Sequence, residues 1–156
     1  MLPPLTLLRG IPGSGKSTLA WKLAGQNPTN TVVCEADMFF EGSRGYQYNK
    51  DLIEAAHAQC FGAAIHNLWH GQRVIVSNTN LTDWEVKKYL KFAKILGHAS
   101  KIIHCQGGFQ SVHNVPEETL TAMKARMWTN EQLKEVLDPI YPNVTYEVYD
   151  GSQVSG

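Results

Sequence analysis

The sequence predicts an α/β fold of three layers, α/β/α, with helices on both faces of a mainly parallel central sheet of four or five strands. Three observations predict it. Short apolar runs alternate with longer segments of helical period along the 156 residues. No repeat or low-complexity block interrupts the alternation. A glycine-rich turn joins the first apolar run directly to the first helical segment. Strands that alternate with helices need crossover connections, which cover both sheet faces and leave ligands the loops beyond the carboxyl ends of the strands.

The elements follow in order. "LTLL", Leu5 to Leu8, is an apolar run bounded by Pro4 and the glycine-rich turn, and reads as the first strand. A helix follows near residues 16 to 25. "TVVCE", Thr31 to Glu35, is the second strand, followed by a helix over 51 to 70. "RVIVS", Arg73 to Ser77, is the third, and Asn80 or Thr82 caps the helix over 82 to 96. "KIIHC", Lys101 to Cys105, is the fourth strand, with a helix over 117 to 136 behind it. Thr145 to Tyr149 is a weaker fifth strand. One domain over residues 1 to 150 is expected, with "GSQVSG", 151 to 156, as a disordered tail, and Trp21, Trp69, Trp84 and Trp128 are assigned to core or helix packing.

Composition excludes several classes. Fourteen basic residues balance fourteen acidic ones, so no global field draws the protein to polyanions, and any such site must be local. Cys34, Cys60 and Cys105 are isolated in apolar runs, as buried thiols of a reducing compartment are, which makes the cytoplasm the expected location. No apolar run approaches the roughly 18 residues of a membrane span. "MLPPLTLL" lacks a basic leader and reads as the approach to the first strand. Neither a membrane nor an obligate protein partner is indicated.

The turn "RGIPGSGKST" matches G-x-x-x-x-G-K-[ST] at Gly10, Gly15, Lys16 and Ser17, between a strand and a helix as that motif requires. Pro12, Gly13, Ser14 and Thr18 complete the loop. Its glycines let successive backbone N–H groups converge on phosphate oxygens at a helix N-terminus; Lys16 neutralises β/γ charge and the Ser17 hydroxyl reaches Mg²⁺. The implied cofactors are ATP and Mg²⁺. Asp37, just past the second strand, is placed to accept a proton from an acceptor hydroxyl or to hold a metal-bound water, with Glu35 in reserve because strand alternation points it away from Asp37. The third strand ends in Ser77 and Asn78 without a carboxylate, which disfavours an ATPase motor. Asn78, Thr79 and Asn80 read as hydrogen-bonding groups for an acceptor, alongside a capping role.

"RGIPGSGKSTLA", "ADMFF", "RGYQYN", "AHAQC" and "NTNLTDWE" together resemble the kinase domain of phage-type polynucleotide kinases over most of residues 5 to 127. Among small P-loop kinases, a group that phosphorylates the hydroxymethyl group of a modified pyrimidine such as 5-hydroxymethyluracil in DNA is also similar. The resemblance implies a phosphotransferase with Lys16 and Ser17 on the donor and Asp37 as the base. It puts Asn78 where the family keeps an acceptor-contacting Asp, and it implies a nucleic-acid acceptor, DNA ahead of RNA. Phe39, Phe40, Tyr46 and Tyr48 would supply stacking faces for a base, and His57 a hydrogen bond into the acceptor pocket. The chain departs from the family at Phe40, where an Arg is expected, and in "QGGFQSVHNVP", Gln106 to Pro116, which holds no Arg or Lys; Arg126 or His113 must then supply the missing positive charge. Lys87, Lys91, Lys94 and His98 share one helix face, either a solvated surface or a phosphate track. The alternatives are a small-molecule or nucleotide kinase and a non-catalytic nucleotide-binding module.

Overall fold

The computed structural model describes residues 2–108 and 115–151. Five strands form one parallel sheet in the order β2-β5-β1-β6-β7: β1 (Leu5–Arg9), β2 (Thr31–Cys34), β5 (Arg73–Ser77), β6 (Ser100–Cys105) and β7 (Val144–Tyr149). A two-residue ribbon of β3 (Glu41–Gly42) and β4 (Gly45–Tyr46) stands apart and is antiparallel. The helices are α1 (Lys16–Ala24), α2 (Ile53–Trp69), α3 (Asp83–Ile95), α4 (Glu117–Arg126) and α5 (Asn130–Leu137).

Strand alternation divides the core into two layers. Leu5, Leu7, Cys34, Val74, Val76 and Ile102 face one way and pack under α2, α3 and α5 through Ala56, Ala64, Leu68, Val86, Leu90, Ala93, Leu133 and Leu137. Their neighbours in the chain, Leu8, Val33, Ile75 and Ile103, face the other way and pack under α1 through Leu19, Ala20, Leu23 and Ala24. Burying a leucine side chain in this way contributes about 1.5–3 kcal/mol. Val86, Tyr89 and Ala93 of α3 are buried and Leu96 is half-buried, as helical period requires.

Two expectations need correction, and the weakest of the expected strands is found in full. The helix expected over 117 to 136 is two helices. Met127 adopts extended backbone (φ −70°, ψ 117°), and Thr129 and Gln132 then form a reciprocal capping box that starts α5 afresh. The fifth strand expected over Thr145 to Tyr149 is present as an edge strand, paired with β6 from Ser100↔Val144 to Cys105↔Tyr149. Trp21, Trp69 and Trp84 are not packing residues: they are 56%, 68% and 77% exposed, and only Trp128 is half-buried against the core.

Arg9, the last residue of β1, continues the side of Leu5 and Leu7 and is wholly buried. Its Nε donates to the Asn80 carbonyl at 3.0 Å and its Nη1 to Asn130 Oδ1 at 3.1 Å. Nη2 donates to the carbonyls of Leu81 (3.1 Å) and Trp128 (2.5 Å) and lies 3.1 Å from Met127 Sδ. Burial lowers its pKa to about 10, opposed by the Glu85 carboxylate, so the guanidinium stays charged at neutral pH. It thereby joins the central strand, the loop after β5 and the α4–α5 junction, and Asn130 passes the tie on through Nδ2 to the Glu147 carbonyl of β7 at 2.8 Å. Arg9→Met would strand the carbonyls of Asn80 and Trp128 and the Asn130 amide oxygen in the interior, while the Leu81 carbonyl keeps the Trp128 N–H. It is expected to lower unfolding free energy by at least about 3 kcal/mol in urea denaturation, with Arg9→Lys recovering part of the loss.

Candidate active site

The phosphate loop forms where β1 ends. Gly10 has φ +154°, and a Cβ there would lie 2.6 Å from the Cys105 carbonyl oxygen and 2.4 Å from Ser14 Oγ, so only glycine fits. Gly13 and Gly15 take φ +83° and +95°, which turns the backbone into the first turn of α1. The loop is held from both flanks: Gly10 N–H donates to the Thr79 carbonyl at 3.0 Å, and Gly107 N–H donates to the Ser14 carbonyl at 3.0 Å. Pro12 is half-buried, Ser14 is buried, and Ser17 and Thr18 are exposed at the start of α1. Lys16 Nζ folds back onto the Ile11 carbonyl at 3.1 Å. Burial lowers its pKa to about 8, against the attraction of Cys105, Glu35 and Asp37.

Asp37 sits on a 3-10 turn, Ala36–Phe40, directly after β2, and its side chain is exposed. The turn is anchored at its start, where Asn78 Oδ1 accepts from the Ala36 N–H at 2.8 Å. Asn78 is itself buried, with Nδ2 3.5 Å from Cys60 Sγ, to which the Tyr89 hydroxyl also points at 3.6 Å. Its amide is therefore committed to holding the Asp37 turn in place. Asn80 is committed likewise: it takes φ +46°, is buried, and donates from Nδ2 to the Leu8 carbonyl at 3.1 Å. Thr79 is half-buried.

Glu35 is the residue that the sequence reading undervalued. Val33 packs under α1, so Glu35, two residues on, points to that same side, where the phosphate loop lies. Burial raises its carboxyl pKa, opposed by the nearby hydroxyls of Ser17 and then Ser77 and by Lys16, and reinforced by Asp37. Its Oε1 is buried without a hydrogen-bond partner, and Ser77 Oγ beside it is equally unpartnered. Ser17, Glu35 and Asp37 thus gather hard oxygen donors at the foot of the loop, and the orphaned Oε1 fits a hydrated Mg²⁺.

Aromatic groups gather around Asp37. Tyr46 Oη donates to Asp37 Oδ1 at 3.3 Å, and burial followed by the Asp37 charge raises the phenol pKa to about 12. Tyr48 is 56% exposed, with its ring 5.2 Å from that of Phe40. Phe40 is 5% exposed and packs edge-on to Phe39, so it belongs to the core and presents no free face to a base. His57 is half-buried on α2; burial lowers its pKa, assisted by Lys88 and opposed by Glu85 and Asp37, which keeps the imidazole neutral at pH 7. Arg126 is exposed at the end of α4, and His113 lies outside the described residues. Along the basic face of α3, Lys87 pairs with Asp83 at 3.3 Å and Lys94 donates to the Ile140 carbonyl at 2.8 Å.

A family model described as AAA domain matches residues 5–108, from the first residue of β1 to the turn after β6. The chain belongs to the AAA domain family. This AAA domain is 28% identical over 141 residues to human (Homo sapiens) NEDD4-binding protein 2, a match that covers 76% of the chain and 7% of that much longer protein. Its fold is that of P-loop kinases. Kti12 of Chaetomium thermophilum in complex with ADP-AlF3 superposes with a TM-score of 0.62 at 16% identity, over 90% of this chain and 98% of the other. APS kinase CysC of Mycobacterium tuberculosis, in complex with AMPPNP and APS, gives 0.56 at 13% identity, over 96% and 89% of the two chains. A chain of the Pnkp1/Rnl/Hen1 complex gives 0.51 at 22% identity, over 76% of this chain and 38% of the other.

The lowered Lys16 pKa gives a pH test. Its folded value lies below the unfolded one, so between about pH 8 and 10.5 the unfolded chain binds more protons at this site and the contribution of Lys16 to the stability of the ligand-free protein rises with pH, against the opposite trend of the buried Cys34 and Cys105 thiols, whose pKa values burial raises to about 12. The stability of Lys16→Met relative to the parent is therefore expected to fall as pH rises through that window in urea denaturation. Nucleotide phosphates favour the ammonium form, so calorimetry is expected to show proton uptake on ATP binding near pH 8 and weaker binding above it.

Proposed function

We propose that this domain transfers the γ-phosphate of ATP to a hydroxyl of a nucleic acid, DNA ahead of RNA. The observation that carries the proposal is Asp37. An exposed carboxylate is fixed through Asn78 at the carboxyl edge of the sheet, within electrostatic reach of the phosphate-loop Lys16 and beside an aromatic ribbon. The phosphate-loop signature and the family's nucleotide-binding architecture support ATP as donor. The nucleic-acid acceptor rests on the resemblance to polynucleotide kinases and on the π-faces around Asp37.

In the proposed reaction, Lys16 and the loop N–H groups hold the β- and γ-phosphates, and Asp37 orients the acceptor hydroxyl. The acceptor oxygen forms its bond to the γ-phosphorus as the bond to the β,γ-bridging oxygen breaks. The hydroxyl proton passes to the Asp37 carboxylate, and ADP leaves. Ser17, with Glu35 and Asp37 through water, would hold Mg²⁺, which when bound offsets phosphate charge. Tyr46 steadies Asp37 through its hydrogen bond. Arg126 is proposed as the cation that meets the transferring phosphoryl group.

The test is transfer of labelled γ-phosphate to a panel of 5′-hydroxyl DNA, end-blocked DNA bearing hydroxymethylpyrimidines, RNA, nucleosides and no acceptor. Label is expected on DNA and is expected to vanish in Lys16→Ala. Asp37→Asn is expected to slow transfer by about 10²- to 10⁴-fold, and parent-like transfer in that variant would remove Asp37 from the role of base. Label on nucleosides alone would replace the acceptor assignment by a metabolite, and ATP binding without transfer would mean a nucleotide-binding module.

A further inference from the structure

Trp84 stands in the first turn of α3 with 77% of its surface exposed. It belongs to the same edge of the sheet as Asp37. β2 and β5 are paired neighbours with Cys34 opposite Val76, so the segments leaving their carboxyl ends start side by side. Trp84 follows the end of β5 and Asp37 follows the end of β2. The other two exposed tryptophans lie elsewhere: Trp69 ends α2 at the amino edge of the sheet, just before β5 begins, and Trp21 lies on α1, on the opposite face.

The surroundings of Trp84 are chemically specific. One helical turn on, Lys88 Nζ lies 5.2 Å from the centroid of Phe61 and 5.5 Å from that of Tyr89, which holds an ammonium where α2 and α3 meet, on the helix turn next to that of Trp84. His57 of α2 feels Lys88, Glu85 and Asp37 together, so α2 bridges the space between the α3 terminus and the carboxylate. Across that space stand Tyr46, bonded to Asp37, and the exposed Tyr48. A flat apolar face, a nearby cation and a carboxylate at one sheet edge match a nucleobase joined through its sugar to a phosphate.

We propose that Trp84 is the stacking platform for a base of the acceptor DNA strand, with Lys88 beside it on the strand's phosphate. The proposal rests on the nucleic-acid reading above and deepens it, because it names the residue that holds the strand. Trp84 is then a binding residue for the acceptor that takes no part in proton transfer.

The test is fluorescence anisotropy with a dye-labelled single-stranded oligothymidylate and no ATP, which separates binding from chemistry. Trp84→Ala is expected to weaken binding by about 5- to 150-fold, the range for loss of one aromatic–base stack. Trp84→Phe is expected to retain part of the affinity, and Trp69→Ala to bind as the parent does. ATP affinity and thermal midpoint are expected to be unchanged in Trp84→Ala. An oligomer of abasic residues is expected to bind the parent about as weakly as oligothymidylate binds Trp84→Ala. Parent-like DNA binding by Trp84→Ala, or equal binding of the abasic oligomer, overturns the platform and leaves the nucleic-acid reading standing. A parent that binds no DNA overturns that reading, and the platform's ligand with it.

Discussion

The structure depends on a charge placed where charges are costly. A guanidinium in the interior needs a full set of acceptors to survive there, and Arg9 finds them among main-chain carbonyls and one amide rather than in a carboxylate. Those acceptors come from two separate stretches of chain, Asn80–Leu81 and Trp128–Asn130, so the arginine fixes where each lies against the central strand. Gly10 follows Arg9 directly, and the Thr79 carbonyl that receives Gly10 N–H is next to the Asn80 carbonyl that receives Arg9 Nε. The geometry of the phosphate loop is therefore set from behind, by a residue that never meets the nucleotide. Asn80 tolerates its left-handed backbone for the same reason, since its short side chain closes on the Leu8 carbonyl.

Two carboxylates close together would ordinarily repel, yet Glu35 and Asp37 occupy one short turn in different settings. Glu35 is drawn inward, where burial favours its neutral form until a cation arrives. Asp37 remains in contact with water and with one phenol. Ser77 and Glu35 approach from neighbouring strands on the α1 side of the sheet, while Asn78, one residue later and so on the opposite side, props the turn from beneath.

Most of the layering could be read from the residues alone, because an apolar run between glycine or proline punctuation and a helical-period segment leave few alternatives. The phosphate loop was plain for the same reason, since its glycines answer a steric demand that Gly10 shows directly. What escaped the sequence reading was side-chain direction and partnership. Glu35 was held in reserve as if alternation turned it away from Asp37, although residues two apart share a strand face and the 3-10 turn over Ala36–Phe40 takes Asp37 out of strand period altogether. The start of α5 was written in Thr129–Asn130–Glu131–Gln132, a capping-box pattern hidden inside a stretch of continuous helical propensity. Arg9 carried no signal: nothing local distinguishes an arginine that will be buried by segments some 70 and 120 residues away from one that faces solvent. Trp84 was assigned to packing by its size, whereas its place on the outer face of an amphipathic helix decides its exposure.

Among the described residues, α1 supplies the helical cover of the sheet face lined by Leu8, Val33, Ile75 and Ile103, with Leu2 and Met38 at its margins, and the same helix begins at the phosphate loop. Folding and ligand capture therefore draw on one element. A bound nucleotide that steadies the first turn of α1 also steadies the roof of that half of the core. Ligand occupancy then enters directly into the protein's resistance to heat, by an amount that grows with the logarithm of nucleotide concentration. Substitutions beneath the helix, at Leu19 or Leu23, become indirect controls on nucleotide affinity although neither side chain lies in the loop.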